Sequence, residues 1–436
     1  MASLLLSLLL CAAAGSVVVA NQVHVDLRAT GGSCTSSSDC ELLGKCVGGK
    51  CQCFPGFTGP SCAVIDLEPT PAPLAPAWPP QGGLADLARG QAYGWGFSVA
   101  PDARSPELLH AVANVGCYTP HSGMVSGTFL MHLTSTAGPT GPWTAVGIVA
   151  PPTTFNAHLR LAPTGEYVLF LRGSSPMPSP ANWTESACAG VSEAEWETMV
   201  RKGPYIAAEK LQDPVGNFVS TSNFMGSEGN WDTKPFQIVG QDDTCGNRSV
   251  IDHNSNPSAV ILPNGVVVLA YRYTFTSGSE SVNIAVSPNT SGPFEAVFPC
   301  NYTMTSNTWG EDPFIFHRPD GSLHVFYHCQ RYGHGVPNSP GLHAWSANQG
   351  GQGRDAWHTT ASPSHHGAYS TNISLANGSS TGLLYDRRER PDLLFNNITG
   401  NPVAFYSALQ QTVGPTGPNG KRGWGWSFSF AQATKQ

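Results

Sequence analysis

One unit recurs along this chain and limits what it can fold into. It has a polar start, an apolar run, a turn with glycine, then a second apolar run. It reads NAHLRLAPTGEYVLFLRG (156–173), NPSAVILPNGVVVLAYRY (256–273), EDPFIFHRPDGSLHVFYHC (311–329) and RPDLLFNNITGNPVAFYSAL (390–409). A looser copy is GWGFSVAPDARSPELLHAVANV (94–115). Each is a hairpin signal, two β-prone runs around Pro-x-Gly or Asn-Gly chemistry. A second strand pair follows each copy, at 129–143, 206–218, 282–294, 341–357 and 424–432. Two hairpins make a four-stranded sheet, and radial repetition of such sheets makes a propeller. The expected fold class is therefore all-β, a five-bladed β-propeller over residues 85–436. A β-sandwich of similar strand count is the competing architecture. Residues 174–205 interrupt the second blade, and SEAEWETMV (192–200) carries a capping-box spacing that suits one short helix. The strands around Trp424 and Trp426 are expected to pair near the first blade and close the ring.

Six cysteines crowd into residues 34–62, spaced C-x5-C-x5-C-x4-C-x-C-x8-C. So short a segment has too few large apolar residues for a core, and disulfides must replace one. Six cysteines allow 15 pairings. A zinc knuckle is the competing reading, and the segment holds no histidine. The segment 30–64 resembles an EGF-like module, with its Gly-rich turn at Gly56 and Gly59. That resemblance implies the pairs Cys34–Cys46, Cys40–Cys51 and Cys53–Cys62. An odd five cysteines follow: Cys117, Cys188, Cys245, Cys300 and Cys329. At least one of them is free or intermolecular, and Cys300 and Cys329 are placed to pair.

The first twenty residues, MASLLLSLLLCAAAGSVVVA, are apolar and uncharged, with Val18 and Ala20 suiting a signal-peptidase site. An uncleaved membrane anchor is the alternative. Seven Asn-x-Ser/Thr sequons, beginning at Asn182, Asn247, Asn289, Asn301, Asn372, Asn377 and Asn397, fit a secreted, extracellular glycoprotein. Residues 65–84 form a Pro- and Ala-rich linker, expected to be an extended, semi-rigid spacer. Charged residues are only 12% of the chain, and Gly (48) and Pro (36) are plentiful. That mix suits a turn-rich β domain. A net charge of −7 with no basic run excludes nucleic acid as a partner.

The motifs WGEDPFIFHRPDGSLHVFYH, SPNTSGPF and RRERPDLLF resemble the five-bladed propeller glycosidases of the arabinanase, xylosidase and fructosidase type, across residues 85–432. In such propellers the first strand of each blade runs along the axis, so its opening residues line a funnel. The resemblance implies an aspartate base in the first blade, a pKa-tuning aspartate in the second and a glutamate acid in a later one. Glu311 matches the acid. The first two positions depart from the pattern: Trp95-Gly96-Phe97-Ser98 offers no carboxylate, and His158 stands where the second would be.

Glycosidic cleavage generally uses two carboxylates. The catalytic candidates are Glu311, Asp312, Glu389 and His158, with Glu389 or Asp252 as the partner of Glu311. Desolvation by Trp309 would raise the Glu311 pKa, and Arg388 or Arg390 would oppose it. Asp312, before Pro313, also suits an architectural cap. The run Asp386–Arg390 is the densest charge cluster; it is either a bracing Arg–Glu network or a site for the carboxylate or sulfate of an acidic sugar. Substrate-binding candidates are Arg388, Arg390, His121, His253 and Asn256, with Trp95 and Trp309 for stacking and Trp345 nearby. His324 and His328 would stand about 13 Å apart on a strand, too far for one zinc ion. No cofactor is expected beyond a structural calcium or sodium. The expected activity is a glycoside hydrolase acting on a polysaccharide or glycan. The alternatives are a polysaccharide lyase using His and Arg, and a non-catalytic glycan-binding or adhesion protein whose EGF-like module meets a protein partner.

Overall fold

The hairpins of the repeat form sheets that stand around a common axis. A computed structural model of the chain describes residues 31–72, 74, 77, 93–116, 128–150, 155–173, 216–222, 232–236, 238–240, 244–245, 248–275, 280–298, 304, 310–329, 341–348, 350–359, 367–382, 385–411 and 427–436. The inner strands are β1 (Tyr93–Pro101), β2 (Phe155–Leu161), β3 (Arg248–Ile261), β4 (Gly310–His317) and β5 (Tyr385–Phe395). Strands β1 to β4 each belong to a sheet of at least four strands, and β5 to one of three. The third sheet carries two further short strands, Ile238–Val239 and Thr244–Cys245. β1 packs on β2, β2 on β3, β3 on β4, β4 on β5, and β5 back on β1. This is the propeller arrangement. The helical turns among the described residues are two 3-10 turns, Ser37–Cys40 and Arg354–Ala356. None of the described helices is long and apolar enough to cross a membrane.

Turn chemistry sets the register. Gly165, Gly265 and Gly321 take φ of 86°, 86° and 93°, each closing the first hairpin of its sheet. In each the glycine N–H donates to the carbonyl three residues back, at 2.9, 2.8 and 2.9 Å. Only glycine takes that conformation without strain. A separate core fills each gap between neighbouring sheets. Leu159 and Leu169 meet Val112 and Leu130; Phe170 meets Leu269; Ile284 meets Val325; Phe97 and Trp143 meet Tyr406. Sheets covered on both faces read as continuous apolar runs. That is why strands such as Leu323–Cys329 are buried throughout.

Three disulfides, Cys34–Cys46, Cys40–Cys51 and Cys53–Cys62, tie the N-terminal region. This region does not stand apart. Leu43, Phe57 and Ile65 share one apolar cluster with Phe314, Phe326, Leu393 and Phe405 of the fourth and fifth sheets. The Arg318 guanidinium lies over Phe54 at 4.2 Å, and buried Glu41 meets His343 Nδ1 at 2.6 Å.

The described part of the expected spacer is a strap. Residues 66–72, 74 and 77 run beside the last strand, Ser427–Ala433, on the edge of the fifth sheet. Glu68 N–H donates to Ala433 O at 2.9 Å, and Ala77 N–H donates to Ser429 O at 2.8 Å. Leu67 bridges Thr434, and Leu74 is buried against Phe428 and Phe430. Proline lacks a donor, so it is confined to such edges. The Pro-rich composition that suggests a free linker therefore also suits an outermost strand. The last strand pairs with Pro402–Gln411 in the fifth sheet and packs against β1, where Ser429 Oγ donates to Gly96 O at 3.1 Å. The expected helix at 192–200 lies outside the described residues, as do Cys117, Cys188 and Cys300. Cys329 is buried in the core between the third and fourth sheets.

Candidate functional site

Every inner strand is interrupted at the same point. Gly96, Asn156, Asn256, Asp312 and Arg390 take φ of 78°, 56°, 53°, 53° and 58°. The ladder slips its register at each. Left-handed backbone costs a non-glycine residue about 1–2 kcal/mol, least for Asn and Asp. The five positions meet at the axis. Asn156 Nδ2 donates to Asn256 Oδ1. Asn256 Nδ2 donates to Asp312 Oδ1 at 2.6 Å, and Arg390 Nη1 reaches the same oxygen at 3.0 Å. Gly96 faces the aliphatic stem of Arg390.

Two residues further along, side chains reach into the next sheet. Ser98 Oγ accepts Leu159 N–H at 2.9 Å, His158 Nδ1 accepts Ala259 N–H at 3.0 Å, and Ser258 Oγ accepts Ile315 N–H at 2.9 Å. Ser98 and His158 of this layer line an axial cavity together with Asp312 and Asp392. His158 is thus a brace between the second and third sheets. Both its ring nitrogens are engaged, the second by Ser258 at 3.2 Å, and burial holds it neutral. This differs from the proton-transfer role expected of it.

One residue before the interruption, the fourth and fifth sheets present Glu311 and Glu389. Both are buried. Arg272, from the strand Val267–Phe275 of the third sheet, donates to Glu311 Oε1 and also pairs with Glu280 at 3.0 Å. Glu389 Oε1 lies 3.5 Å from Arg387 Nη1 and 3.7 Å from His328 Nδ1. Glu311, His328 and Glu389 each bring one donor atom within 4.8 Å of the others. That spacing would suit a cation, but Arg272 and Arg387 already supply positive charge to the two carboxylates.

The surroundings shift the two glutamates in opposite directions. Burial pushes Glu311 up, but Arg272 foremost, then Arg390, His328 and Arg387, outweigh it and hold its pKa below the usual value. Burial pushes Glu389 up to about 6; Arg387 opposes this and the Glu311 charge adds to it. Burial also raises Asp312 to about 7 and Glu280 to about 8. The same burial lowers His328, keeping the ring neutral.

The remaining candidates scatter. Arg388 points to the other face of β5, where its guanidinium bonds Ser407 Oγ, Ser370 O and Gln432 Oε1 and lies over Phe405 at 4.7 Å. Strand alternation separates it from Arg387 and Glu389, so it braces the fifth sheet instead of facing a substrate. Trp95 is buried against Ala408. Trp345 stacks between His343 and His358 on outer strands. His121 and Trp309 lie outside the described residues. For His253 and Asp252 only the backbone, on β3, is described. Sequence reading missed Arg272 and Glu280, considered His328 only as a zinc ligand, and took Arg387 only as part of the charge cluster. A signal existed for two of them. Arg272 and His328 are polar residues ending apolar second strands, opposite Ser255 and Glu311 at the openings of β3 and β4.

No family model matches the chain, and no curated protein matches it. Solved structures do. The catalytic domain of a family 62 α-L-arabinofuranosidase of Coprinopsis cinerea aligns over 85% of this chain and 98% of its own, at 10% identity and a TM-score of 0.49. An α-L-arabinofuranosidase of Podospora anserina aligns over 85% and 98%, at 11% identity and a TM-score of 0.48. A family 117 glycoside hydrolase of Zobellia galactanivorans aligns over 79% and 85%, at 12% identity and a TM-score of 0.44.

Proposed function

We propose that this chain is a secreted, glycan-acting hydrolase with five blades, an EGF-like module at its N-terminus and its reaction centre at Glu311 and Glu389. One observation carries the reading. Two buried carboxyls on adjacent inner strands approach within 4.8 Å, and their surroundings drive their pKa values apart. Such a split assigns an acid and a base or nucleophile. Glu389 is the proton donor to the leaving oxygen, and ionised Glu311 is the nucleophile. This reverses the role that resemblance gives Glu311, because Arg272 comes from another sheet. Retaining hydrolases hold their carboxyls about 5–5.5 Å apart, inverting ones about 6.5–9.5 Å. The approach here favours retention. The disulfides fit an oxidising compartment.

The test is to incubate the protein with a panel of plant and animal polysaccharides, following release of reducing ends and the anomeric configuration of the first product. Release that is lost in both Glu311→Gln and Glu389→Gln supports the reading. Binding without release in the wild type would favour the non-catalytic glycan binder. One feature supports that second reading: at the axial positions of the first three sheets stand Gly96, Asn156 and Asn256, none of them a carboxylate.

A further inference from the structure

His328 lies directly opposite Glu311 in the ladder between β4 and the strand Leu323–Cys329. Its Nδ1 faces Glu389 Oε1 across 3.7 Å. Both residues are buried, and among the described residues neither of these two atoms has a hydrogen-bond partner. Buried polar atoms rarely stay unpaired. The gap exceeds the outer limit of a hydrogen bond by only about 0.5 Å. It is too narrow for an intervening water, so a small rotation of the Glu389 carboxyl is what closes it.

Besides His328, only Arg387 Nη1 is described near Glu389 Oε1, at 3.5 Å, and a proton between the facing Nδ1 and Oε1 would give both atoms a hydrogen bond. The charges around the pair bear on where it sits. Glu311 and Asp312 face it from β4, Arg387 and Arg390 from β5, Arg272 from the third sheet, and Tyr369 from the segment before β5. Arg387 draws Glu389 toward its ionised form, while the Glu311 charge holds the proton on. Burial keeps the histidine neutral, which leaves its Nδ1 free to accept.

We propose that in mildly acidic solution His328 and Glu389 share one proton in the resting protein, carried on the Glu389 carboxyl and accepted by His328 Nδ1. The inference rests on reading Glu389 as the acid. His328 is then a positioning residue, keeping Glu389 loaded between turnovers. A Glu311 oxygen bonds to the anomeric carbon as the glycosidic C–O bond breaks; that bond's electron pair leaves with the glycosidic oxygen, which takes the Glu389 proton. Arg387 holds the carboxylate left behind. The water that completes hydrolysis bonds its hydroxyl to the anomeric carbon, displacing the Glu311 carboxylate, and gives its proton to Glu389, and the bond to His328 re-forms.

The experiment is a pH titration of the full chain with ring-¹⁵N histidine, following the His328 nitrogens. The expected result is an inflection at Nδ1 near pH 6, where Glu389 ionises, with the ring's own protonation shifted below the ordinary histidine range. Glu389→Gln should abolish that inflection. Arg387→Gln, which removes an opposing cation, should move it upward, and it serves if Glu389→Gln does not fold. An inflection that survives in Glu389→Gln, or that ignores Arg387→Gln, overturns the shared proton. So does a wild-type ring that titrates as an ordinary histidine. Failure of the hydrolase reading is separate. It would show as no turnover on any glycan with the nitrogen inflection intact, which leaves the shared proton standing.

Discussion

Asp312 and Arg390 occupy equivalent places on adjacent inner strands, both with left-handed backbone, and pair at 3.0 Å. The residue before each is a glutamate of the candidate site. The bridge therefore fixes the spacing of Glu311 and Glu389 through two backbone links instead of two flexible side chains.

Breaking that bridge from one side leaves a buried charge uncompensated, which costs about 3–5 kcal/mol. Arg390→Met should lower the urea midpoint by a corresponding amount. The double variant Asp312→Asn/Arg390→Met should recover much of the loss. A single variant as stable as wild type would mean that the pair does not lock the axis.

Asp392 offers a pH test with a defined sign. Burial raises its pKa from 3.8 to about 7, with Arg160 opposing. The folded protein thus holds a proton that the unfolded chain releases. The resulting stability is fully present below about pH 4 and is lost as pH rises through about 7. Asp392→Asn keeps a partner for Ser98 and does not ionise. Its melting temperature relative to wild type should rise between pH 5 and pH 8, by calorimetry. A flat difference would contradict the raised pKa.

The split between the two glutamates predicts the rate profile. With Glu389 as the acid at about 6, kcat/KM should fall as pH climbs past that value. Glu389→Gln should cost about 10²–10⁴-fold, the usual share of general acid catalysis, and a substrate with an activated leaving group should recover part of it. Glu311→Gln should not be rescued by that substrate. Equal rescue of both variants would undo the assignment.

The N-terminal region shares its core with the fourth and fifth sheets, so it should not melt alone. Phe57, 4% exposed, packs against Phe326 at a centroid distance of 6.4 Å. Burial of this kind makes Phe→Ala cost about 3–5 kcal/mol. Phe57→Ala and Cys40→Ser should each lower one cooperative transition of the whole protein. Two separate calorimetric transitions would show an independent module.

The sheets were legible because strand alternation and Pro-x-Gly turns are local, and both runs of each hairpin lie within about 20 residues. The strap was not. Its partner strand sits at the other end of the chain, and a Pro-rich edge reads like a spacer. Glu311 and Glu389 were legible as openings of inner strands. Their chemistry was not, since Arg272 reaches Glu311 from the preceding sheet and His328 reaches Glu389 from a second strand. Arg388 misled because a charge cluster in sequence alternates between two faces on a strand.

The pairing of Leu67 with Thr434 makes synthesis order matter. The strap is synthesised long before the edge that receives it. Until then the fifth sheet lacks its outer strand, and the apolar faces of Leu74 and Phe428 have no cover. An unpaired edge of that kind invites association with other chains. A nascent chain of this protein is therefore exposed to mispairing at this edge until residues 427–434 have been made and the strap has docked on them.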